Sequence, residues 1–318
     1  MTGALERLVG DVAELRRRWE ERPLVSRGLG DFDDVFSLEL LDRLFFEVAL
    51  PTSALRLMRD GAVSEAGALA RARERTGPTS ETLVDPAKAA AELRRGTTLV
   101  FEEVRSWCPP VADLARGVAE ATGYDTYCAA FLTPAGARGA RAHYDMASVF
   151  IRQVHGSKRW TVGAPAERPP ARPWKGRDVA LTDPEEVLLR PGDCLYLPRG
   201  YIHVGDATHE ASLHLSIALK PVTWRDVLVR EITALAEADP RLRRSLPFGF
   251  HRDGGAAGAD LLAEHTRIAV GHLADTAAVW RRAADHYAPP APRTGGGLAK
   301  ALAEGGAPAG EEEESDVG

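Results

Sequence analysis

The 318-residue chain lacks the cysteine pattern of a disulfide frame or a zinc site. Cys108, Cys128 and Cys194 are odd in number, scattered, and never in a CxxC spacing, so they read as buried thiols in a reducing compartment. A basic excess is missing too. Forty Lys and Arg against 46 Asp and Glu give a formal charge of −6, with a pI near 5.9. That balance argues against a general electrostatic grip on nucleic acid or an anionic membrane, though a local basic patch is compatible with it. No apolar run is long enough to span a bilayer. The N-terminal stretch MTGALERLVGDVAELRRRWEERP is amphipathic and charged, without the apolar core of a signal peptide. A cytoplasmic protein with no direct nucleic-acid or membrane partner is expected. No internal repeat is visible, and 44% apolar with 27% charged residues is ordinary globular composition.

Local patterning divides the chain into four parts. Residues 1–96 read as helical and β segments packing on a barrel. A helix is expected over residues 4–21, where Leu5, Leu8, Val12, Leu15 and Trp19 recur at spacings of three and four. Pro-Leu-Val-Ser from Pro23 reads as a short extended segment, and Ser37 caps a helix to Glu47. Leu55 to Met58 reads as a strand ending at Asp60-Gly61, the Ala-rich run Glu65 to Arg75 as a helix, and Asp85 with Pro86 opens another helix to Arg95.

Residues 97–222 carry the chemistry. A strand from Thr97 to Phe101 and a helix from about Pro110 to Thr122, stopped by Gly123, lead into short β-rich runs separated by Gly and Pro turns. These runs are Tyr127–Leu132, His143–Val154, Arg159–Gly163, Glu186–Leu189, Asp193–Leu197 and Ser212–Leu219, with a Pro-rich surface loop over 165–178. Regularly spaced short strands point to a sandwich or barrel. Residues 223–288 turn helical, over Trp224 to Ala238 and in one long stretch from Ala257 to Tyr287. Residues 289–318 are Pro/Gly/Ala-rich, end in EEEESD, and read as a disordered acidic tail.

The stretch HYDMASVFIRQVHGSK, His143 to Lys158, organises the rest. Read as a β-hairpin, its first arm places His143 and Asp145 on one face. An imidazole and a carboxylate converging this way leave room for a third ligand, a substrate and a gas, as in a two-His-one-carboxylate iron site. His203, after Pro198-Arg199-Gly200-Tyr201-Ile202, is the candidate second histidine. Structural zinc would be expected to have four protein ligands, often including thiolates. By spacing alone, the set is also what an ordinary surface histidine beside an aspartate looks like.

HYDMASVFIRQVHGSKRW, PGDCLYLPRGYIH and SLHLSIAL together resemble the JmjC-type oxygenases, most closely the ribosomal oxygenase branch. WEERPLVSRG, LRLMRDG and YCAAFLTPAG extend the resemblance over roughly residues 15–222. The resemblance implies an α+β fold: a double-stranded β-helix (cupin or jelly-roll barrel) with N-terminal helical segments and a C-terminal helical region. It implies Fe(II) held by His143, Asp145 and His203, with 2-oxoglutarate as cosubstrate and O2 as oxidant. Lys158 falls where such enzymes pair a Lys or Arg with the distal carboxylate. Tyr127 and Thr133 either help hold the cosubstrate or are ordinary strand residues. The implied reaction is hydroxylation of a side chain of a protein or peptide, with succinate and CO2 released. Helices after the barrel mediate dimerisation in related enzymes, so a homodimer is expected.

Other histidines and charges take plainer readings. His214 alternates with Leu213 and Leu215 and reads as a satisfied core histidine or a pocket residue, and Gln153 as hydrogen-bonded within the barrel. His155 and His209 read as solvent-facing, and His265 and His272, seven apart, as packing or surface. Arg281-Arg282 and Arg16 to Arg18 read as solvated helix faces. The chain departs from the branch at Ala129, Phe131 and Ala218, where relatives usually carry Asn, Tyr and a polar residue. The expectation is retained oxygenase chemistry with an altered substrate, a different protein or peptide side chain or a small biosynthetic intermediate. A metal-dependent cupin enzyme that does not use 2-oxoglutarate is the competing reading, and Lys158 discriminates against it. A non-catalytic scaffold would need none of the four residues together.

Overall fold

Local capping chemistry sets where most of the helices begin. In this computed structural model, which describes residues 3–59, 61–65, 69–71, 82–174, 179–251 and 256–289, Asp11 opens α1 (Val12–Arg18) by accepting from the amides of Ala13 and Glu14. The helix expected over residues 4–21 is therefore shorter, because the Gly10-Asp11 step prefers a cap. Leu5 and Leu8 are nevertheless buried ahead of it. After β1 (Leu24–Ser26), Ser37 caps α2 (Leu38–Glu47). Asp85 caps α3 (Pro86–Arg94), and Gly123, at φ +77°, stops α4 (Pro109–Thr122) in the left-handed conformation that glycine tolerates.

The remaining N-terminal elements are strands: β2 (Leu55–Arg59), β3 (Ala62–Glu65), β4 (Ala70–Arg71), β5 (Leu83–Val84) and β6 (Thr98–Phe101). The helix expected from Glu65 to Arg75 is not formed where the chain is described, since β3 ends at Glu65 and β4 pairs with β5. Cross-strand pairing overrides the helix propensity of its alanines there. Asp60 and most of residues 66–81 lie outside the described residues, as do 175–178 of the Pro-rich loop and the acidic tail from 290 on.

Seven strands follow: β7 (Thr126–Thr133), β8 (Ser148–His155), β9 (Lys158–Pro165), β10 (Glu185–Leu189), β11 (Cys194–Leu197), β12 (Tyr201–Ala207) and β13 (Ser212–Leu219). Together with β1, β2, β3 and β6 they form an eight-stranded sheet in the order β1-β11-β8-β13-β7-β6-β2-β3 and a three-stranded sheet β10-β9-β12. Every registered pair is antiparallel. This is an α+β architecture, as expected.

Alternation along the strands separates two environments. Cys128, Ala130, Phe150, Tyr196, Leu213, Leu215 and Ile217 point outward and pack with the N-terminal helices and α4 into one core. The opposite face carries Val149, Ile151, Leu195 and Leu197, which meet Trp160, Val162 and Leu189 of the small sheet. The two sheets thus lie face to face. The three cysteines are buried and free, and burial raises the Cys128 and Cys194 thiols to about 12.

Three expectations about this region change. The stretch His143 to Lys158 is no hairpin: β8 pairs with β11 and β13, whereas β9 pairs with β10 and β12. The chain leaves one sheet and enters the other at Gly156-Ser157. Gln153 braces this corner, its Nε2 donating to the carbonyls of His155 (2.8 Å) and Gly156 (3.2 Å) and to Ser212 Oγ (2.9 Å). Regular strand begins only at Ser148 rather than His143. The segment Tyr201–Ala207, not among the expected strands, is β12.

Gly156 sits at φ +58°, and a Cβ there would lie 1.8 Å from the Ala211 carbonyl oxygen. Backbone cannot move aside as a side-chain tip can. Gly156→Ala is expected to destabilise the protein by more than about 2 kcal/mol, as a lowered midpoint in urea denaturation with an unchanged slope.

The C-terminal helix expected from Ala257 to Tyr287 is two helices, α6 (Ala256–Leu273) and α7 (Thr276–Tyr287), because Asp275 caps the second. With α5 (Trp224–Ala238) they enclose Glu231, whose side chain is fully buried. Its carboxylate takes an ion pair from Arg282, another from Arg230 at 2.9 Å, and His272 Nε2 at 3.1 Å. Arg282 is therefore not a solvated-face residue but the partner of a buried acid. His272 serves packing, as expected. Trp224, Leu228, Leu262 and Trp280 of these helices are exposed.

Candidate metal centre

His143 and His203 meet through the backbone before they meet through their rings. An isolated bridge joins them, with His143 N–H donating to the His203 carbonyl (3.1 Å) and His203 N–H donating back (2.7 Å). Their ring centroids lie 4.3 Å apart. Asp145, past the bridge, closes the group: its Oδ1 is 4.0 Å from His143 Nε2 and its Oδ2 is 3.6 Å from His203 Nε2. The three ligand atoms lie within 4.8 Å of one another. His143 is held by the bridge and Asp145 lies on irregular backbone whose carbonyl accepts from Gly200 N–H (2.9 Å), so the two do not converge by alternating on a regular strand.

The tautomers suit a metal. Nδ1 of His143 is 2.8 Å from the Arg141 carbonyl and Nδ1 of His203 is 3.0 Å from the Tyr201 carbonyl. A carbonyl only accepts, so each Nδ1 carries the proton and each Nε2 keeps its lone pair toward the other ligands. Burial, together with the neighbouring His143, pushes His203 down to about 4, so its ring is neutral at physiological pH. The Asp145 side chain is 48% exposed and His203 5%, which makes the group open on the aspartate side. Trp174 stands beside it, 5.6 Å from the His143 ring. Two imidazoles and one carboxylate with an open side fit a non-haem iron site.

Lys158 lies on the cavity face of the small sheet. Registers pair Ala207 with Lys158, Gly205 with Trp160 and His203 with Val162, so Lys158, Trp160, His203 and Gly205 share that face. The lysine is 2% exposed. Its Nζ donates to Thr133 Oγ1 at 3.2 Å and lies 5.4 Å from the Trp160 ring centroid. Burial pulls it down to about 8, only partly offset by the charge of Asp206. Gly205 leaves the lysine its path, since a Cβ there would meet Lys158 Cε at 2.9 Å and the Trp160 ring at 3.0 Å.

Thr133 is thus brought to Lys158. Tyr127 is not: it packs with Phe131 and Ala140 against Met58, Val100 and Ala129. Its partner across β13 is Ala218, and that of Ala129 is Ser216, so the three departures Ala129, Phe131 and Ala218 line one mostly apolar wall. His214 is buried, on the face away from Leu213 and Leu215, but it is not fully satisfied: its Nδ1 has no hydrogen-bond partner among the described residues. Trp160, Gly205 and the strand carrying His203 were missed by reasoning from sequence. The alternation of Tyr201, His203, Gly205 and Ala207 was the available signal for β12, blurred by its glycine.

Residues 112–227 match the model of the JmjC domain, in line with the resemblance that the motifs carry. Among curated proteins, it is 26% identical over 277 residues to the bifunctional lysine-specific demethylase and histidyl-hydroxylase NO66 of Drosophila pseudoobscura pseudoobscura, covering 83% of this chain and 28% of that one. It is 38% identical over 126 residues to ribosomal oxygenase 2 of Rattus norvegicus, covering 37% and 27%. The chain spans less than two fifths of the length of these relatives. The solved structure of the ribosomal oxygenase YcfD of Escherichia coli, in complex with cobalt and 2-oxoglutarate, shares the fold at a TM-score of 0.53 and 22% identity, over 92% of this chain and 77% of that one.

Proposed function

We propose that this chain is an Fe(II)- and 2-oxoglutarate-dependent oxygenase that hydroxylates a side chain of a protein or peptide, releasing succinate and CO2. Its two facing sheets are read as a double-stranded β-helix, with His143, Asp145 and His203 as the iron ligands. The observation that carries the reading is Lys158. A buried ammonium whose only hydrogen-bond acceptor among the described residues is a threonine hydroxyl is costly unless an anion joins it. It shares a sheet face with His203, so a dicarboxylate can be gripped at one end by the lysine and at the other by the metal. A cupin enzyme without a dicarboxylate has no use for such a cation. The curated relatives named for histidyl hydroxylation and ribosomal oxygenation support a protein substrate.

Bound Fe(II) would supply dioxygen activation. The chain's own contribution is binding and exclusion. Lys158 and Thr133 fix the distal carboxylate, Trp160 covers the lysine's path and keeps water from it, and the committed Nδ1 protons of both histidines hold their rings in the ligating orientation. The wall of Met58, Ala129 and Phe131 offers few polar partners to an incoming side chain, consistent with a target different from the polar residues its relatives modify.

The test is succinate formation from 2-oxoglutarate by the full chain with Fe(II) and O2, with and without peptide libraries and histidine- and arginine-bearing ribosomal peptides. Metal-dependent succinate release is expected even without substrate, as uncoupled turnover. Neither turnover nor metal-dependent 2-oxoglutarate binding would sink the reading. Clean hydroxylation of a ribosomal histidine or arginine would overturn the altered-substrate part alone.

A further inference from the structure

Near Lys158, between the two sheets, lies a second buried polar group, a histidine with one ring nitrogen unpaired among the described residues. His214, 1% exposed, sits on β13 opposite Phe131 of β7 and Gln153 of β8. Its ring stacks on Phe131, with centroids 4.7 Å apart and planes at 7°, and meets Trp160 of the other sheet edge-on at 5.4 Å. These contacts fix the imidazole between the two sheets. Thr133, the hydroxyl partner of Lys158, is the next residue inward on β7 and pairs with Ser212. His214 is therefore the diagonal neighbour of Thr133 on the same face. Burial and the nearby Lys158 charge hold the ring well below its usual range, so it is neutral. Yet Nδ1 is sealed from solvent and has no hydrogen-bond partner among the described residues, and Trp160 Nε1 is in the same state.

A histidine serving only the core would have its ring nitrogens satisfied, because a buried polar atom left unpaired costs about 1–3 kcal/mol. Rigid packing combined with an unmet hydrogen bond beside a buried cation is what a ligand-binding group looks like before its ligand arrives. We propose that His214 is a cosubstrate-binding residue: with Lys158 and Thr133 it forms a three-point receptor for the distal carboxylate of a dicarboxylate, the neutral imidazole presenting an N–H to it. The inference rests on the 2-oxoglutarate reading above. It adds that Lys158 and Thr133 do not hold the carboxylate by themselves, and that affinity at this place depends on a histidine from the opposite sheet.

The experiment is anaerobic titration of the Mn(II)-loaded full chain with two probes: 2-oxoglutarate, which would reach the receptor, and oxalate, which can chelate the metal but has no distal carboxylate. In His214→Phe, 2-oxoglutarate affinity is expected to fall about tenfold or more while oxalate affinity stays within twofold. His214→Asn, whose amide can place a donor near Nδ1, is expected to recover most of the loss. The melting temperature of metal-free His214→Phe should equal or exceed that of wild type, because an orphaned polar atom has gone. Equal 2-oxoglutarate binding in His214→Phe and wild type would overturn the inference and leave the oxygenase reading standing. So would parallel losses for both probes, or a lowered melting temperature with no recovery in His214→Asn, since each marks a structural histidine. If wild type binds oxalate but not 2-oxoglutarate, the cosubstrate reading itself fails and this inference with it.

Discussion

His143→Ala is expected to abolish Fe(II)-dependent succinate formation while the protein stays folded. The imidazole is one of three ligand atoms lying within 4.8 Å of one another, and its removal leaves only His203 and Asp145. Losing even a residue that merely orients a ligand lowers metal affinity about 10–100-fold, so losing a ligand should exceed about 100-fold. The fold has little reason to respond. The His143 side chain is 22% exposed, and the bridge that ties residue 143 to 203 is made by backbone atoms that alanine keeps. Mn(II) should therefore raise the melting temperature of wild type but not of His143→Ala, by the linkage between ligand binding and stability, and the two metal-free proteins should melt nearly together. Asp145→Ala should behave the same way. Undiminished metal-dependent turnover in either variant would mean that the metal lies elsewhere.

How much of this was legible beforehand depends on whether the determining interaction is local. The caps were legible, because Ser37, Asp85 and Gly123 act on amides and carbonyls within four residues of themselves. Most strands of the barrel region were legible from their alternation. Sheet membership was not. Gly156-Ser157 has the residues of a hairpin turn, and only strands far away in sequence decide that β8 joins one sheet and β9 the other. The Glu65–Arg75 segment failed for the same reason, since alanines favour helix only until a cross-strand partner competes. The split between α6 and α7 could have been seen, because Asp275-Thr276 is a capping pair inside the long apolar pattern.

The site shows the same division. His143, Asp145 and His203 were singled out from their spacing and resemblance, and the structure assembles them by a route other than the one reasoned. The strand argument put two side chains on one face, whereas a single bridge to His203 positions the first and the second sits on irregular backbone tied to Gly200. Lys158 was expected to reach the cavity from a hairpin arm; it reaches it from the opposite sheet, which lets it face Thr133 across the interior. Arg282 looked like surface because its partner, Glu231, is 51 residues away. His214 looked satisfiable because nothing in Ser-Leu-His-Leu-Ser reveals that its neighbours in space are two aromatic rings and an ammonium. In each case the residue type was readable and the partner was not.

Lys158→Met gives the second large effect, with opposite signs for binding and stability. Taking the cation from a buried carboxylate pair costs about 2–5 kcal/mol of binding, so the 2-oxoglutarate requirement should rise about 100-fold or more while Mn(II) still binds. Metal-free Lys158→Met should, by contrast, be more stable than wild type at neutral pH. Burial lowers the lysine from 10.5 to about 8. Above 10.5 it is uncharged in folded and unfolded chains alike and contributes no difference. Between 10.5 and 8 the unfolded chain keeps a proton that the folded chain has released, so wild-type stability falls as pH falls through that window. Below 8 the full penalty, on the order of 3 kcal/mol, is present. The stability advantage of Lys158→Met should therefore be greatest at pH 7 and fade toward pH 10.5, as read from paired urea denaturations across that range. Saturating 2-oxoglutarate with Mn(II) should reverse it, because the carboxylate pairs with the buried ammonium and stabilises wild type alone. A variant that loses metal as well as cosubstrate would place Lys158 in the metal's own environment. One that is less stable at pH 7 would mean that the ammonium already has an anionic partner inside the fold.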